Sequence, residues 1–249
     1  MPGLRSDAEW KWWGERDPLF AVATWPGRQH GGPTPWTPEA FRALGEADAA
    51  DIFRHWDQFG RRSGRCVEIG CGAGRITGPL ARAFDSVLAL DVSAGQIAMA
   101  RQMLGDATLN VTFELVEQPL IPAPAESCAG MFSAHVFQHL PDLPAVTSYL
   151  RETFRVLGPG GTACFHLPVS GAHLTSHDSM IFLAFRNAYR RLKRALGGRR
   201  LMEYHRYRTP LILRVLRDIG FMRAEVRIFP MRSNGDYHSF FFAAKPVRE

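Results

Sequence analysis

Long apolar runs are missing from this 249-residue chain: none reaches the roughly 18–20 residues that a membrane-spanning helix needs. Paired cysteines are missing too. The four present, Cys66, Cys71, Cys128 and Cys164, show no C-x-x-C spacing, so buried or semi-buried free thiols in a reducing cytoplasm are expected. The opening stretch MPGLRSDAEWKWWGERDP lacks an apolar core, which argues against a secretory signal. Charge of one sign does not dominate. Thirty Lys and Arg against 24 Asp and Glu give a net +6, which permits an acidic partner without requiring one. Internal repeats and low-complexity tracts are absent. What remains is 46% hydrophobic and 22% charged, the composition of a soluble globular chain of one large or two small domains.

From about residue 65 onward, strand and helix patterns alternate. The segments RCVEI (65–69), SVLALD (86–91), VTFELV (111–116), GMFSAH (130–135) and TACFHL (162–167) read as strands. Between them, 74–84, 93–104 and 143–157 read as helices, the second opened by Ser93 and Gln96 at capping-box spacing and the third stopped by Gly158 and Pro159. A helix over 209–220 opens with Thr209 as N-cap and Pro210 in its first turn. Strands over 223–229 and 238–245 finish the chain, joined by a stretch too short for a crossover helix, so that pair must be antiparallel. Such alternation predicts an α/β fold: a doubly wound, mostly parallel seven-stranded sheet with an antiparallel last strand and helices on both faces. Ligands of these sheets bind at the carboxyl ends of the strands, where the strand order reverses.

The segment VEIGCGAGRIT (67–77) places Gly70, Gly72 and Gly74 at alternate positions directly after the first strand, with Glu68 two residues before them. Glycines there let the backbone turn tightly and let a ligand come close to a helix N-terminus. A dinucleotide would want G-x-G-x-x-G, but the sixth position counted from Gly70 is Arg75, and counted from Gly72 it is Thr77. Glu68 also repels a pyrophosphate and suits a ligand that carries positive charge.

The same segment resembles the first motif, E/D-x-G-x-G-x-G, of the class I S-adenosylmethionine-dependent methyltransferases of the small-molecule type. Asp91 at the end of the second strand and the turn RVLGPGG (155–161) resemble that family's further landmarks. The likeness runs well over residues 64–167 and loosely over 209–245. It implies S-adenosylmethionine as cofactor, S-adenosylhomocysteine as product, and cofactor contacts at Glu68, Gly70, Cys71, Gly72, Gly74, Asp91, Val92, Glu117, Gln118 and Ser133. The Asp91 carboxylate would accept both ribose hydroxyls, although capping the following helix is an alternative role. Departures are the absence of an acidic residue opening the fourth strand and of an N-P-P-Y tetrad. The latter counts against a flipped base, and so against nucleic acid as the acceptor.

His135 and His139 follow the fourth strand in HVFQH and are the candidates for a general base, with a purely structural role as the alternative. Their spacing of four could serve a metal on a helix, but no glutamate and no third ligand accompany them, so no metal is expected. His166 ends the fifth strand; with Trp36, Tyr204, His205, Arg206 and Tyr207 it is a candidate for lining the acceptor pocket. Residues 1–60 read as a tryptophan-rich helical arm covering the site, with a helix over 37–59. Residues 61–249 read as the cofactor-binding domain, in which 168–208 form a lid insertion whose basic helix spans 180–200. That helix is a solvated lid face, a flank for an acidic or carrier-linked acceptor, or a membrane-surface contact. The function expected is methyl transfer by in-line displacement to a small-molecule acceptor, on oxygen or nitrogen, of the kind found in natural-product or other secondary metabolism. An RNA- or protein-directed methyltransferase and a non-catalytic cofactor-binding protein are the alternatives. A homodimer is compatible with everything in the sequence.

Overall fold

The computed structural model describes residues 5–105, 110–170, 188–189 and 204–248. Three helices come first: α1 (Arg5–Arg16), α2 (Pro18–Val22) and α3 (Pro38–Phe59). The expected alternation follows: β1 (Arg65–Ile69), α4 (Thr77–Ala83), β2 (Ser86–Asp91), α5 (Ala94–Leu104), β3 (Val111–Leu115), β4 (Cys128–Ser133), a short 3-10 turn (Phe137–His139), α6 (Leu143–Val156) and β5 (Leu157–His166). After two short strands, β6 (Val169–Ser170) and β7 (Tyr207–Arg208), the chain closes with α7 (Thr209–Ile219), β8 (Arg223–Pro230) and β9 (Tyr237–Ala244).

The main sheet has seven strands in the order β3-β2-β1-β4-β5-β9-β8. Strands β1 to β5 run parallel, while β9 enters antiparallel between β5 and β8. The chain moves outward from β1 to β3 and then returns to begin β4 on the other side of β1. The strand order therefore reverses between β1 and β4, and a crevice opens at their carboxyl ends.

Alternate residues of the buried strands feed two cores. Val67, Ile69, Leu88, Leu90, Met131 and Phe165 face Val146 and Leu150 of α6 and Ile212 and Leu216 of α7. Cys66, Val87, Ala89, Phe132, Cys164 and Phe242 face Ile52, Trp56 and Phe59 of α3 and Leu80 of α4. The helix α3 is thus a layer of the sandwich. Its Trp56 is fully buried, and its indole Nε1–H donates to Thr162 Oγ1 on β5 at 2.9 Å. All four cysteines are free and buried. No helix among the described residues is long and apolar enough to cross a membrane.

Several element boundaries differ from the sequence reading, each for a local reason. The helix after β1 starts at Thr77 rather than at 74, because Gly74 sits at φ +83 in a conformation no helix can hold. The fourth strand covers 128–133, two residues early, because His135 turns out of it at φ +60. The glycine-rich turn 158–161 belongs to β5, which pairs with β4 across a register shift between Cys128 and Gly130. Thr209 lies inside α7; the cap position is Arg208, which makes no side-chain cap bond. A cap bond forms as expected at Ser93, which accepts from Gln96 N, and another at Thr37, which lies just outside α3 and accepts from Ala40 N. The basic helix at 180–200 and most of the 168–208 insertion fall outside the described residues; the two ends of that insertion pair as β6 and β7.

Candidate active site

The loop 70–74 leaves β1 at the switch point and is tied back to β2, where Gly70 N and Cys71 N both donate to Leu90 O, at 2.7 and 2.9 Å. Its glycines are required by the chain's own packing. Gly70 and Gly72 hold φ +74 and +54, and a Cβ would lie 2.2 Å from Val136 Cγ2 at the first and 2.6 Å from Val22 Cγ2 at the second. Asp91, buried at the end of β2, clasps this loop. Its Oδ2 accepts from Gly72 N at 2.8 Å and its Oδ1 from Ser93 N at 2.9 Å. Burial pushes its carboxyl up to about 6, against the pull of those backbone donors.

Glu68 corrects the electrostatic expectation. It does not line the crevice; it lies beneath the loop, 3% exposed, with its Oε2 accepting from Thr77 Oγ1 at 2.6 Å. Burial pushes its carboxyl up to about 8, so near neutral pH it is largely an uncharged pin between β1 and α4 and not an anion offered to a ligand.

The crevice over the loop is lined by Gly70, Gly72, Asp91, Val92, Gln96, Val116 and His135, with Trp10 and Val22 closing it from the N-terminal helices. It is small, about 90 Å³, and adjoins a larger cavity of about 570 Å³. Trp10, Val22, Arg75 and His135 line both. The larger cavity is walled by Trp13, Phe20, Trp25 and Tyr204 and floored by His135, His139 and His238. The aromatic wall is set by helix packing. The helix α1 crosses α5 at two glycines so closely that a Cβ on Gly14 would meet Ser93 Oγ at 2.2 Å and one on Gly95 would meet Gly14 O at 2.5 Å. Gln96 Nε2 adds a bond to Pro18 O at 3.2 Å. Between the two spaces stands Arg75, paired in the interior with Asp48 of α3; burial lowers its guanidinium to about 10.

Three imidazoles gather at the cavity floor. The His135 ring centroid lies 4.2 Å from that of His166 and 5.2 Å from that of His238, and His166 Nε2 is 3.2 Å from His238 Nδ1. Burial first, and then a neighbouring imidazole (His166 for His135, His238 for His166) and the Arg75 guanidinium, hold His135 and His166 well below the ordinary histidine range; burial lowers His238 as well. His139 stands apart from them, edge-on to Trp10 at 5.2 Å and to Tyr204 at 6.2 Å. Its Nε2 is 2.9 Å from the side-chain amide of Gln138, which orients the ring.

The structure thus brings Gly70, Gly72, Asp91, Val92, His135, His139 and Tyr204 to the two spaces. It does not bring the others. Cys71 is buried under the loop, Gly74 packs against Ala100, and Ser133 Oγ donates to Ile69 O at 3.0 Å. Glu117 and Gln118 are corrections: both are exposed past the end of β3, and Glu117 is ion-paired with Lys11 at 2.7 Å instead of facing the crevice. Trp36 stands behind the wall, packed on Trp25, with its Nε1–H donating to Ala23 O. His166 sits beneath His135. His205, Arg206 and Tyr207 adjoin Tyr204 without lining the cavity, and His205 N donates to Gln138 O. Reading by motif missed His238, Arg75, Asp48, Gln96 and Gln138. His238 had a usable signal: a strand antiparallel to β5 must begin at the carboxyl edge, so its first residues reach the site.

A methyltransferase-domain family model matches residues 67–165. Among curated proteins, the ubiquinone biosynthesis O-methyltransferase of Ruegeria pomeroyi is 29% identical over 97 residues, 39% of this chain and 38% of that protein. The match spans about two-fifths of that relative's length. Among solved structures, a SAM-dependent methyltransferase from Methanosarcina mazei superposes with a TM-score of 0.59 at 19% identity, covering 78% of this chain and 98% of that one. Phosphoethanolamine N-methyltransferase 1 of Haemonchus contortus, in complex with phosphoethanolamine and S-adenosylhomocysteine, gives 0.64 at 15% identity, covering 97% of this chain and 48% of that one. These structural likenesses concern the fold.

Proposed function

We propose that this chain, whose residues 67–165 match a methyltransferase-domain family model, is a class I methyltransferase that binds S-adenosylmethionine in the crevice over the Gly70–Gly74 loop and methylates a hydroxyl of a small aromatic acceptor held in the larger cavity. The observation that carries this reading is the adjacency of the two spaces across Trp10, Val22, Arg75 and His135. One is edged by a carboxylate at a strand end, and the other is walled by aromatic rings. The crevice suits the cofactor. Asp91 lines it, and so does Gln96, whose Oε1 is buried without a hydrogen-bond partner and can accept from a donor such as a ribose hydroxyl. Ile69, Leu90, Val92 and Val116 supply apolar surface beside them for a base. The N-terminal arm places Trp10 and Val22 over the crevice and so covers a ligand bound there.

When bound, the cofactor supplies an already activated methyl group on a sulfonium. The protein's own share is alignment and proton removal. Trp13, Phe20 and Trp25 exclude water and hold a flat acceptor. Holding the reactants in line can contribute roughly 7–11 kcal/mol. His139 faces the cavity between Trp10 and Tyr204; with the Gln138 amide turned to offer its oxygen to Nε2–H, Nδ1 is the nitrogen that takes the hydroxyl proton. The likeness to a ubiquinone biosynthesis O-methyltransferase supports oxygen over nitrogen as the acceptor atom.

Two measurements test the reading. S-adenosylhomocysteine is expected to bind with saturable heat in a calorimeter. Methyl-labelled cofactor is expected to pass its label to members of a panel of phenols and catechols, and to do so much more slowly in His139→Ala. Heat with NADH but none with S-adenosylhomocysteine would overturn the cofactor assignment, and label appearing only on RNA or protein would overturn the acceptor class.

A further inference from the structure

His135, His166 and His238 reach one point from three separate segments: the turn after β4, the end of β5 and the start of β9. Their ligand-capable nitrogens all lie within 4.8 Å of one another. A tetrahedral ion with metal–nitrogen bonds of about 2.0–2.1 Å sets its nitrogens about 3.3–3.4 Å apart. The 3.2 Å between His166 Nε2 and His238 Nδ1 already matches one edge of such a tetrahedron, and the widest separation needs to contract by at most about 1.5 Å. One further observation fits an occupant at that point. His135 holds its place from a left-handed backbone, φ +60, the kind of local strain that collects where a side chain must be aimed.

We propose that His135, His166 and His238 bind one divalent transition-metal ion of the class that prefers imidazole, zinc being the type case, at the floor of the aromatic cavity. Three protein nitrogens leave a fourth position open, the arrangement of catalytic rather than structural zinc. His135 and His238 both line the cavity, so that position is within reach of an acceptor. Resting on the methyl-transfer reading above, the ion acts as a Lewis acid on the acceptor hydroxyl. The O–H bond breaks with its proton passing to His139, and the new O–C bond forms as the S–C bond of the sulfonium breaks.

The test needs no cofactor. Full-length protein, freed of metal by a chelator and dialysed, is titrated with Zn²⁺ in a calorimeter and with Co²⁺ while its visible absorption is followed. One ion per chain and the intense visible bands of a four-coordinate cobalt site are expected. His238→Ala, at a half-buried member of the cluster, is expected to weaken binding at least about 100-fold, and His139→Ala to leave it unchanged. His166→Ala, with circular dichroism as the check on folding, should match His238→Ala. A folded parent that binds neither ion, or binding indifferent to His238→Ala, overturns the proposal. Metal bound one per chain without methyl transfer to any acceptor would refute the proposed function and leave this site standing. Methyl transfer by a chain that binds neither ion would do the reverse.

Discussion

Replacing Glu68 with glutamine changes one atom in the interior and should change how stability depends on pH. Glu68 is 3% exposed and its carboxyl is pushed up to about 8, first by burial and further by Asp91, against the Thr77 hydroxyl that stabilises its charge. Its ordinary value is 4.5. Between those two values the folded chain keeps the proton and the unfolded chain has lost it, so the unfolded state binds fewer protons and stability falls as pH rises. The slope is about 1.4 kcal/mol per pH unit, so the parent loses on the order of 4 kcal/mol between about pH 5 and pH 8 from this group alone. In Glu68→Gln the amide oxygen can still accept from Thr77 Oγ1, and the proton is gone from the balance. Histidines held below their ordinary range act in the opposite sense, costing stability as pH falls through 6.5, and Asp91 acts in the same sense as Glu68 over a window from 3.8 to about 6. Both contributions are common to parent and variant and cancel in the difference. Urea unfolding followed by tryptophan fluorescence at pH 5, 6, 7 and 8 would measure it. The variant should gain on the parent steadily across the series. Two curves that stay parallel would refute the argument that Glu68 is a neutral pin.

Asp91→Asn should weaken S-adenosylhomocysteine binding at least about tenfold, because an amide cannot accept two hydroxyls while serving Gly72 N and Ser93 N. With the parent carboxyl at about 6, affinity for the cofactor should also fall as pH drops below that value, and calorimetry showing a flat profile down to pH 5 would contradict the ribose assignment. Gly72→Ala puts a Cβ 2.6 Å from Val22 Cγ2 at φ +54 and should cost about 1–3 kcal/mol. Adding Val22→Ala should recover part of that loss in a double-mutant cycle, and strict additivity would show that the arm does not pack there in solution. Trp56→Phe strands Thr162 Oγ1 and should cost about 1–3 kcal/mol of stability in denaturant titration, with cofactor affinity unchanged.

The alternation of strands and helices, the reversal point after β1, the antiparallel final strand and the loop that Asp91 clasps were all legible in the order of residues. Each follows from a local rule. Apolar runs of five or six residues make buried strands, caps and glycines mark helix ends, and a short connection permits only a hairpin. Side-chain direction at the site was not legible in the same way. Glu68 reads as an anion at a ligand's edge, yet the strand's alternation turns it under the loop toward Thr77. Glu117 follows β3 at the expected distance, yet it lies past the crevice and pairs with Lys11.

What the sequence determined by itself is the frame: a parallel sheet whose first crossover carries a glycine-rich turn and whose second strand ends in a carboxylate. Local periodicity and backbone stereochemistry are enough to specify it. Only the tertiary structure decided what faces that frame. The tryptophans of α1 reach it because two glycines let α1 and α5 touch, and three histidines separated by up to 103 positions meet because β9 runs back along β5. Such meetings depend on strand direction and helix approach distance, quantities that no window of neighbouring residues contains.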